Sequence, residues 1–269
     1  NHVFLFMGAR HGIGTTTMAL NTATLLAAKG QKTILLELND RFPMVNSYFE
    51  FTNLTAGIDT ACTGLANGNH RAVEAAIIKP HGLTPAKKAL GKVYKKLPGP
   101  LHLMLFSNVY LLNEKAGKNK PLETAVLKDL IYTLLIQLKY ANVVIDIQTD
   151  DRELMDICLG GNLMADKLVL TLNQDPQTLA AAGHIITDLA RSSVGSLLKG
   201  AVYPIGGYIH QLDPNVSKIA KYLNVNAKQC LPITFDKQGY VEAAMRGLPY
   251  VSDGGKHGSE YAGLTNLIL

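Results

Sequence analysis

The chain has 269 residues, a length for one large α/β domain or two small ones, and 47% of them are hydrophobic, an ordinary share for a globular protein. No apolar run is long enough to span a membrane, and three scattered cysteines (Cys62, Cys158, Cys230) argue against a disulfide framework and for a reducing, cytoplasmic compartment. A formal net charge of +5 permits nucleic acid, anionic lipid or an acidic partner and demands none of them, and no Cys/His spacing indicates a metal centre.

Residues 3–7, Val-Phe-Leu-Phe-Met, are uncharged and apolar, the pattern of a strand buried on both faces. A loop with glycines at 8, 12 and 14 follows. Thr15, Thr16 and Thr17 then open a helix with Met18, Leu20, Leu25 and Leu26 on its apolar side, and Gly30 is placed to end it. A second buried strand covers 34–38. Residues 41–60 read as loop with a short helix. Between 61 and 100, 71–79 reads as a helix, and Thr84-Pro85 as the N-cap and first residue of another reaching about Leu97. This second helix carries Lys87, Lys88, Lys92, Lys95 and Lys96 around an apolar face. It is either a solvated surface over the sheet edge or a basic surface for DNA, lipid or an acidic partner.

A strand over 101–106 comes next, then a long helix over 121–140 with Pro121 at its first position and Leu122, Val126, Leu130, Leu134 and Leu138 in a stripe. Further strands are expected at 142–147, 166–173, 201–209 and 230–235. Helices are expected at 152–164, 176–191, from Asp213-Pro214 to about Leu223, and at 259–269, the last after a flexible glycine-rich connector at 254–258. Alternating strands and helices imply a single α/β domain, a mainly parallel twisted sheet with helices on both faces. The first residue is not Met and a core strand starts at once, which hints at a longer protein or at removed N-terminal residues.

A loop that leaves a strand and enters a helix points several backbone N–H groups at one spot, and the helix end adds about half a positive charge there. Glycines let a phosphate approach the backbone, and a hydroxyl on the first turn can ligate Mg²⁺. The alternative is a plain βαβ unit whose glycines serve packing. Glu37 and Asp146 fall at the C-terminal ends of strands, where ligands of parallel sheets collect.

Ala9–Thr16, A-R-H-G-I-G-T-T, resembles the deviant Walker A loop of the MinD/ParA P-loop ATPases, usually x-K-G-G-x-G-K-[ST], and the likeness continues through the first helix and second strand. Only residues 61–100 lie outside it. The signature lysine, which in the family crosses a dimer interface to the partner's nucleotide, falls on Arg10. The lysine that contacts the β- and γ-phosphates falls on Thr15, and His11 stands where glycine is usual. Asn39 takes the place of a second acidic residue after Glu37. The resemblance implies ATP or ADP with Mg²⁺, cradled by Arg10, His11, Gly12, Ile13, Gly14, Thr15, Thr16 and Thr17. Thr16, Glu37 and Asp146 would stand around the metal, the two carboxylates in any catalysis. Pro232 and Asp236, in a segment like the family's C-terminal motif, would lie near the base. The family often has an adenine-reading Asn near the end of the strand at 201–209; Tyr203-Pro204-Ile205-Gly206-Gly207 has none.

Residues 146–179 most resemble the CpaE/TadZ branch, localisation factors for Flp/tight-adherence pilus assembly that often carry a receiver-like N-terminal domain. The implied function is an ATP-binding homodimer working with secretion or pilus proteins, recruited to a pole or membrane site through them, with slow or no hydrolysis. Two alternatives stand: a pseudo-ATPase scaffold that does not use nucleotide, favoured by the loss of both lysines, and a ParA-like partition protein binding DNA non-specifically. The final helix is not basic, which counts against direct membrane binding.

Overall fold

A computed structural model describes residues 1–40, 43–51, 53–84, 93–115, 122–147 and 165–269. Among the described residues seven strands form: β1 (His2–Gly8), β2 (Thr33–Glu37), β3 (Leu101–Met104), β4 (Asn142–Ile147), β5 (Lys167–Thr171), β6 (Tyr203–Tyr208) and β7 (Cys230–Thr234). The first five pair in parallel in the order β3-β2-β4-β1-β5. β6 and β7 pair in parallel with each other, and bridges Val169–Val202 and Leu172–Ile205 join them to the free side of β5.

The uncharged strands are explained by cover on both faces. In β1, Val3, Leu5 and Met7 point into one core and Phe4 and Phe6 into the other. The Phe side is covered by α1 (Thr15–Ala28), α2 (Val45–Phe49) and, through Tyr261 and Leu264, α10 (Gly258–Ile268). The Val3 side is covered by α3 (Ile58–Ala66), α6 (Thr124–Tyr132), α7 (Pro176–Arg191) and α8 (Val216–Leu223). Shorter helices α4 (Arg71–Ala75) and α5 (Asn108–Lys115), and α9 (Lys237–Arg246), complete the set among the described residues. Helix α1 ends as its sequence indicates. Gly30 takes φ 81°, its N–H donates to Ala27, and the Gln31 N–H donates to Leu26, closing the helix with two backbone bonds.

Several elements differ from expectation. The helix expected over 121–140 is α-helical only over Thr124–Tyr132 and widens into a π-helical turn at Thr133–Gln137, where the Leu138 N–H reaches back to Thr133. Its Pro121 lies outside the described residues. The helix after Asp213-Pro214 is capped by Asn215, whose Oδ1 accepts from the Lys218 N–H, while Asp213 pairs with the Lys218 ammonium. Helix α3 starts inside the 41–60 stretch expected as loop with a short helix and runs to Ala66, and α5 lies between the strand at 101–106 and the helix at 121–140, where no element is expected. The glycine-rich 254–258 stretch is packed rather than loose: Gly255 lies against the Tyr250 ring, and the His257 N–H donates to the Tyr250 hydroxyl. Of the basic helix expected from Thr84 to Leu97, residues 85–92 lie outside the described part, and Tyr94–Lys96 forms a single 3-10 turn. The loop at 148–151 and the helix at 152–164 also lie outside it.

Candidate functional site

β1 carries the chain to the C-terminal edge of the sheet at Gly8, beside Thr171 of β5. A Cβ on Gly8 would lie 2.4 Å from Thr15 Oγ1 and 2.8 Å from the Arg10 carbonyl, so the loop folds tightly back over this residue. Gly12 (φ 77°) and Gly14 (φ 91°) adopt left-handed backbone that other residues take only with strain. Gly14 immediately precedes α1, and no side chain caps this helix. Asp175, Asn215 and Asp236 do cap α7, α8 and α9. The uncapped start of α1 lines a pocket of about 310 Å³ with Arg10, His11, Thr15, Thr16, Thr17, Asn39 and Asp146. Unpaired N–H groups and the positive end of the helix dipole make it a place for an anion.

Two carboxyl groups stand beneath this cradle. Glu37 and Asp146 are register partners on β2 and β4, each about 1% exposed. The Thr16 hydroxyl donates to Asp146. Glu37 Oε1 accepts from the N–H groups of Met44 at 2.6 Å and Val45 at 3.0 Å, tying α2 to the site. Among the described residues, Glu37 Oε2 and Asp146 Oδ2 are buried without a partner. Burial, then the charge of Asp146, pushes Glu37 up to about 8 against the pull of the two N–H donors. Burial pushes Asp146 up to about 7 against the Thr16 hydrogen bond. Two acidic oxygens without donors, next to a hydroxyl and an anion cradle, form a hard-oxygen set that fits Mg²⁺ bound together with phosphate. No group of three or more His, Cys, Asp or Glu could hold a metal by itself among the described residues, so phosphate oxygens and water would have to complete the shell.

Arg10 sits at the rim, its Nη1 3.1 Å from Asp175 Oδ2, with both side chains 43% exposed. A second pocket of about 620 Å³ shares Gly12, Gly14 and Thr17 with the cradle and extends along the ends of β5, β6 and β7. Ile13, Met18, Ile209, Leu212 and Phe235 give it apolar walls, with the Phe235 ring 57% exposed. Pro232 and Asp236 are not among its lining residues. Pro232 pairs with Ile205 inside the sheet. Asp236 caps α9 and accepts from the Tyr250 hydroxyl, which holds its carboxyl below the usual range. Phe235 and Asn173, which sequence reasoning missed, take the lining positions instead. Their signal was their place just past the C-terminal ends of two strands.

No protein-family model matches the sequence, and no curated protein matches it. Solved structures do. A ParA family ATPase from Chlorobium tepidum TLS aligns over 99% of this chain and 98% of its own with a TM-score of 0.74 at 14% identity. A chain of the MinC:MinD cell division protein complex of Aquifex aeolicus aligns over 97% and 94% with a TM-score of 0.70 at 15% identity. The fold is that of the MinD and ParA P-loop ATPases. A third structure, the septum site-determining protein MinD from Pyrococcus horikoshii OT3 complexed with Mg-ADP, aligns over 97% and 94% with a TM-score of 0.66 at 13% identity. In this MinD/ParA-like chain, Arg10 and His11 are the basic side chains lining the smaller pocket among the described residues.

Proposed function

We propose that this chain is a nucleotide-binding, dimerising localisation or assembly factor of the MinD/ParA type, with a deviant Walker A loop and weak or no ATP hydrolysis. One observation carries the reading: the start of α1, which no side chain caps, lines a pocket together with Asp146, whose buried Oδ2 has no partner among the described residues and whose register neighbour Glu37 has another such oxygen. The Mg-ADP held by the Pyrococcus horikoshii MinD structure supports the same ligand pair here, and the MinC:MinD complex supports a partner protein. The N–H groups of the loop and of Thr15, Thr16 and Thr17 would hold phosphate oxygens. Thr16 and Asp146, with Glu37 behind them, would hold Mg²⁺, which supplies the positive charge the loop lacks. The base would enter the larger pocket against Phe235.

Weak hydrolysis follows from what stands at the cradle. Thr15 offers a hydroxyl where charge stabilisation of a transferring phosphoryl group calls for a cation. Asn39 cannot take a proton as a carboxylate would. Arg10 would have to leave Asp175 to reach a partner's nucleotide across a dimer interface. A role in pilus assembly, of the Flp or tight-adherence kind or a similar surface machinery, rests on the resemblance of residues 146–179 to the CpaE/TadZ branch. The Arg10–Asp175 ion pair favours a second reading, a scaffold that keeps the fold without nucleotide, because it occupies the cation within its own chain. A calorimetric titration with Mg-ATP decides between them: micromolar binding is expected, and no heat at millimolar ATP with folded protein leaves the scaffold.

A further inference from the structure

We propose that Asn173 contacts the base of the bound nucleotide by donating a hydrogen bond from its side-chain amide, an inference that rests on the nucleotide reading above. Asn173 lies one residue past the Leu172–Ile205 bridge, where the Gly206 N–H donates to the Leu172 carbonyl at 2.8 Å. Its side chain lines the larger pocket. Asn173 Oδ1 accepts from the Asp175 N–H at 3.0 Å. A backbone N–H can only donate, so this bond fixes which amide atom is oxygen. Nδ2 is left with two donor hydrogens and no partner among the described residues.

The other polar groups around this pocket are committed. Gln174 Nε2 donates to the carbonyls of Ile209, Leu212 and Pro214, and its Oε1 accepts from the Ile209 N–H. That amide is a clamp for the 209–214 loop. Asp175 holds Arg10 and caps α7. Asp213 pairs with the Lys218 ammonium at 2.6 Å. The Tyr240 and Tyr261 hydroxyls bond each other. Thr17 belongs to the phosphate cradle. Position 206 is glycine and supplies no side chain, and a Cβ there would crowd Met18 Cε at 3.1 Å and the Ile13 carbonyl at 3.2 Å. Gly207 adds no side chain and has φ 61°. The side-chain amide free to make a directional contact to the base therefore comes from the end of β5 rather than from β6.

The chemistry selects the ligand class. Purine rings present nitrogen acceptors in the ring plane, and an amide donor at the pocket wall matches one of them. The exposed face of Phe235 offers a surface for stacking. The ligand is a nucleoside di- or triphosphate, its phosphates on the α1 cradle and an in-plane acceptor of its base on Asn173 Nδ2, a ring nitrogen where the base is the adenine of the proposed function.

The test compares Mg-ATP with magnesium tripolyphosphate, which has the charge without the base. Both are titrated calorimetrically into the wild-type chain, Asn173→Ala and Asn173→Ser. The serine hydroxyl can still accept from the Asp175 N–H, so that variant keeps the turn while replacing the two amide hydrogens with one on a shorter side chain. Both variants should bind ATP about five- to tenfold more weakly, the effect of one lost hydrogen bond, and tripolyphosphate unchanged. Equal weakening toward both ligands, or unchanged ATP affinity, overturns the base contact. A wild-type chain that binds tripolyphosphate as tightly as ATP also overturns it while leaving the cradle standing. A folded wild-type chain that binds neither ligand refutes the cradle itself.

Discussion

At Glu37 one carboxyl group does two opposed things. Oε1 satisfies the Met44 and Val45 N–H groups that start α2, while above about pH 8 Oε2 brings a buried charge beside Asp146 with no donor to meet it. Removing the charge and removing the acceptor should therefore have opposite effects. In Glu37→Gln the amide oxygen still serves both N–H groups, and its NH₂ can donate toward Asp146. Without nucleotide this variant should be more stable by about 1 kcal/mol in urea unfolding at pH 9, where Glu37 is ionised, whereas Glu37→Ala should lose about 2 kcal/mol or more at neutral pH. Destabilisation by both would show that the charge itself holds the fold together. Residues like these were partly legible in the sequence. Gly12 and Gly14 announce themselves, because φ above zero admits little else. Asp146 ends an uncharged run and could be placed on a strand end. Asn173 could not be singled out, because its role depends on Gly206 and Gly207 of the next strand and on the commitments of Gln174.

Among the elements, strands β1 and β4 were readable because burial on both faces leaves their middles apolar, Val3–Met7 and Val143–Ile145, and α7 because Asp175-Pro176 marks its start. Helices α3 and α5 were missed although each start is hydrogen-bonded within its own stretch: Thr60 Oγ1 accepts from the Gly57 N–H at 2.8 Å, and Ser107 Oγ accepts from the Tyr110 N–H at 3.1 Å. What the sequence does not show is the link between them, Asp59 of α3 accepting from the Ser107 N–H at 2.8 Å and from its hydroxyl at 2.7 Å. The edge strand β3 allows a pH test. Its His102 is buried, shares a 2.6 Å hydrogen bond with the Tyr140 hydroxyl, and is pushed down to about 4 by burial and by the charges of Lys79 and Lys32. The unfolded chain takes up a proton near pH 6.5 and the folded chain only near 4, so stability is full above about 6.5 and falls as pH drops toward 4. Comparing wild type with His102→Gln between pH 7 and 4 should show a loss of up to about 3 kcal/mol that the variant lacks. At the other end of the sheet, Glu260 of α10 accepts from the Thr234 N–H at 2.6 Å and from its hydroxyl at 2.7 Å. Glu260→Ala should cost about 2 kcal/mol by denaturant unfolding, since it strands a backbone donor at the end of β7.

For the molecule as a whole, the alternation of elements revealed a parallel sheet but not its strand order, which depends on pairings between distant segments. No helix among the described residues is long and apolar enough to cross a membrane. If nucleotide binding and assembly are coupled as proposed, sedimentation velocity with Mg-ATP should show a dimer, and Arg10→Ala should return it to monomer while keeping most of the ATP affinity. A dimer that forms equally without nucleotide would separate the two. The central place of β1, between β4 and β5, also governs how the chain is made. Translation delivers this greasy strand first and its two hydrogen-bonding neighbours only at residues 142–147 and 167–171. At about 5–20 residues per second it waits roughly ten seconds or more on the ribosome with both edges open, the longest unaccompanied interval of any strand in the sheet and the moment when a chaperone would find it.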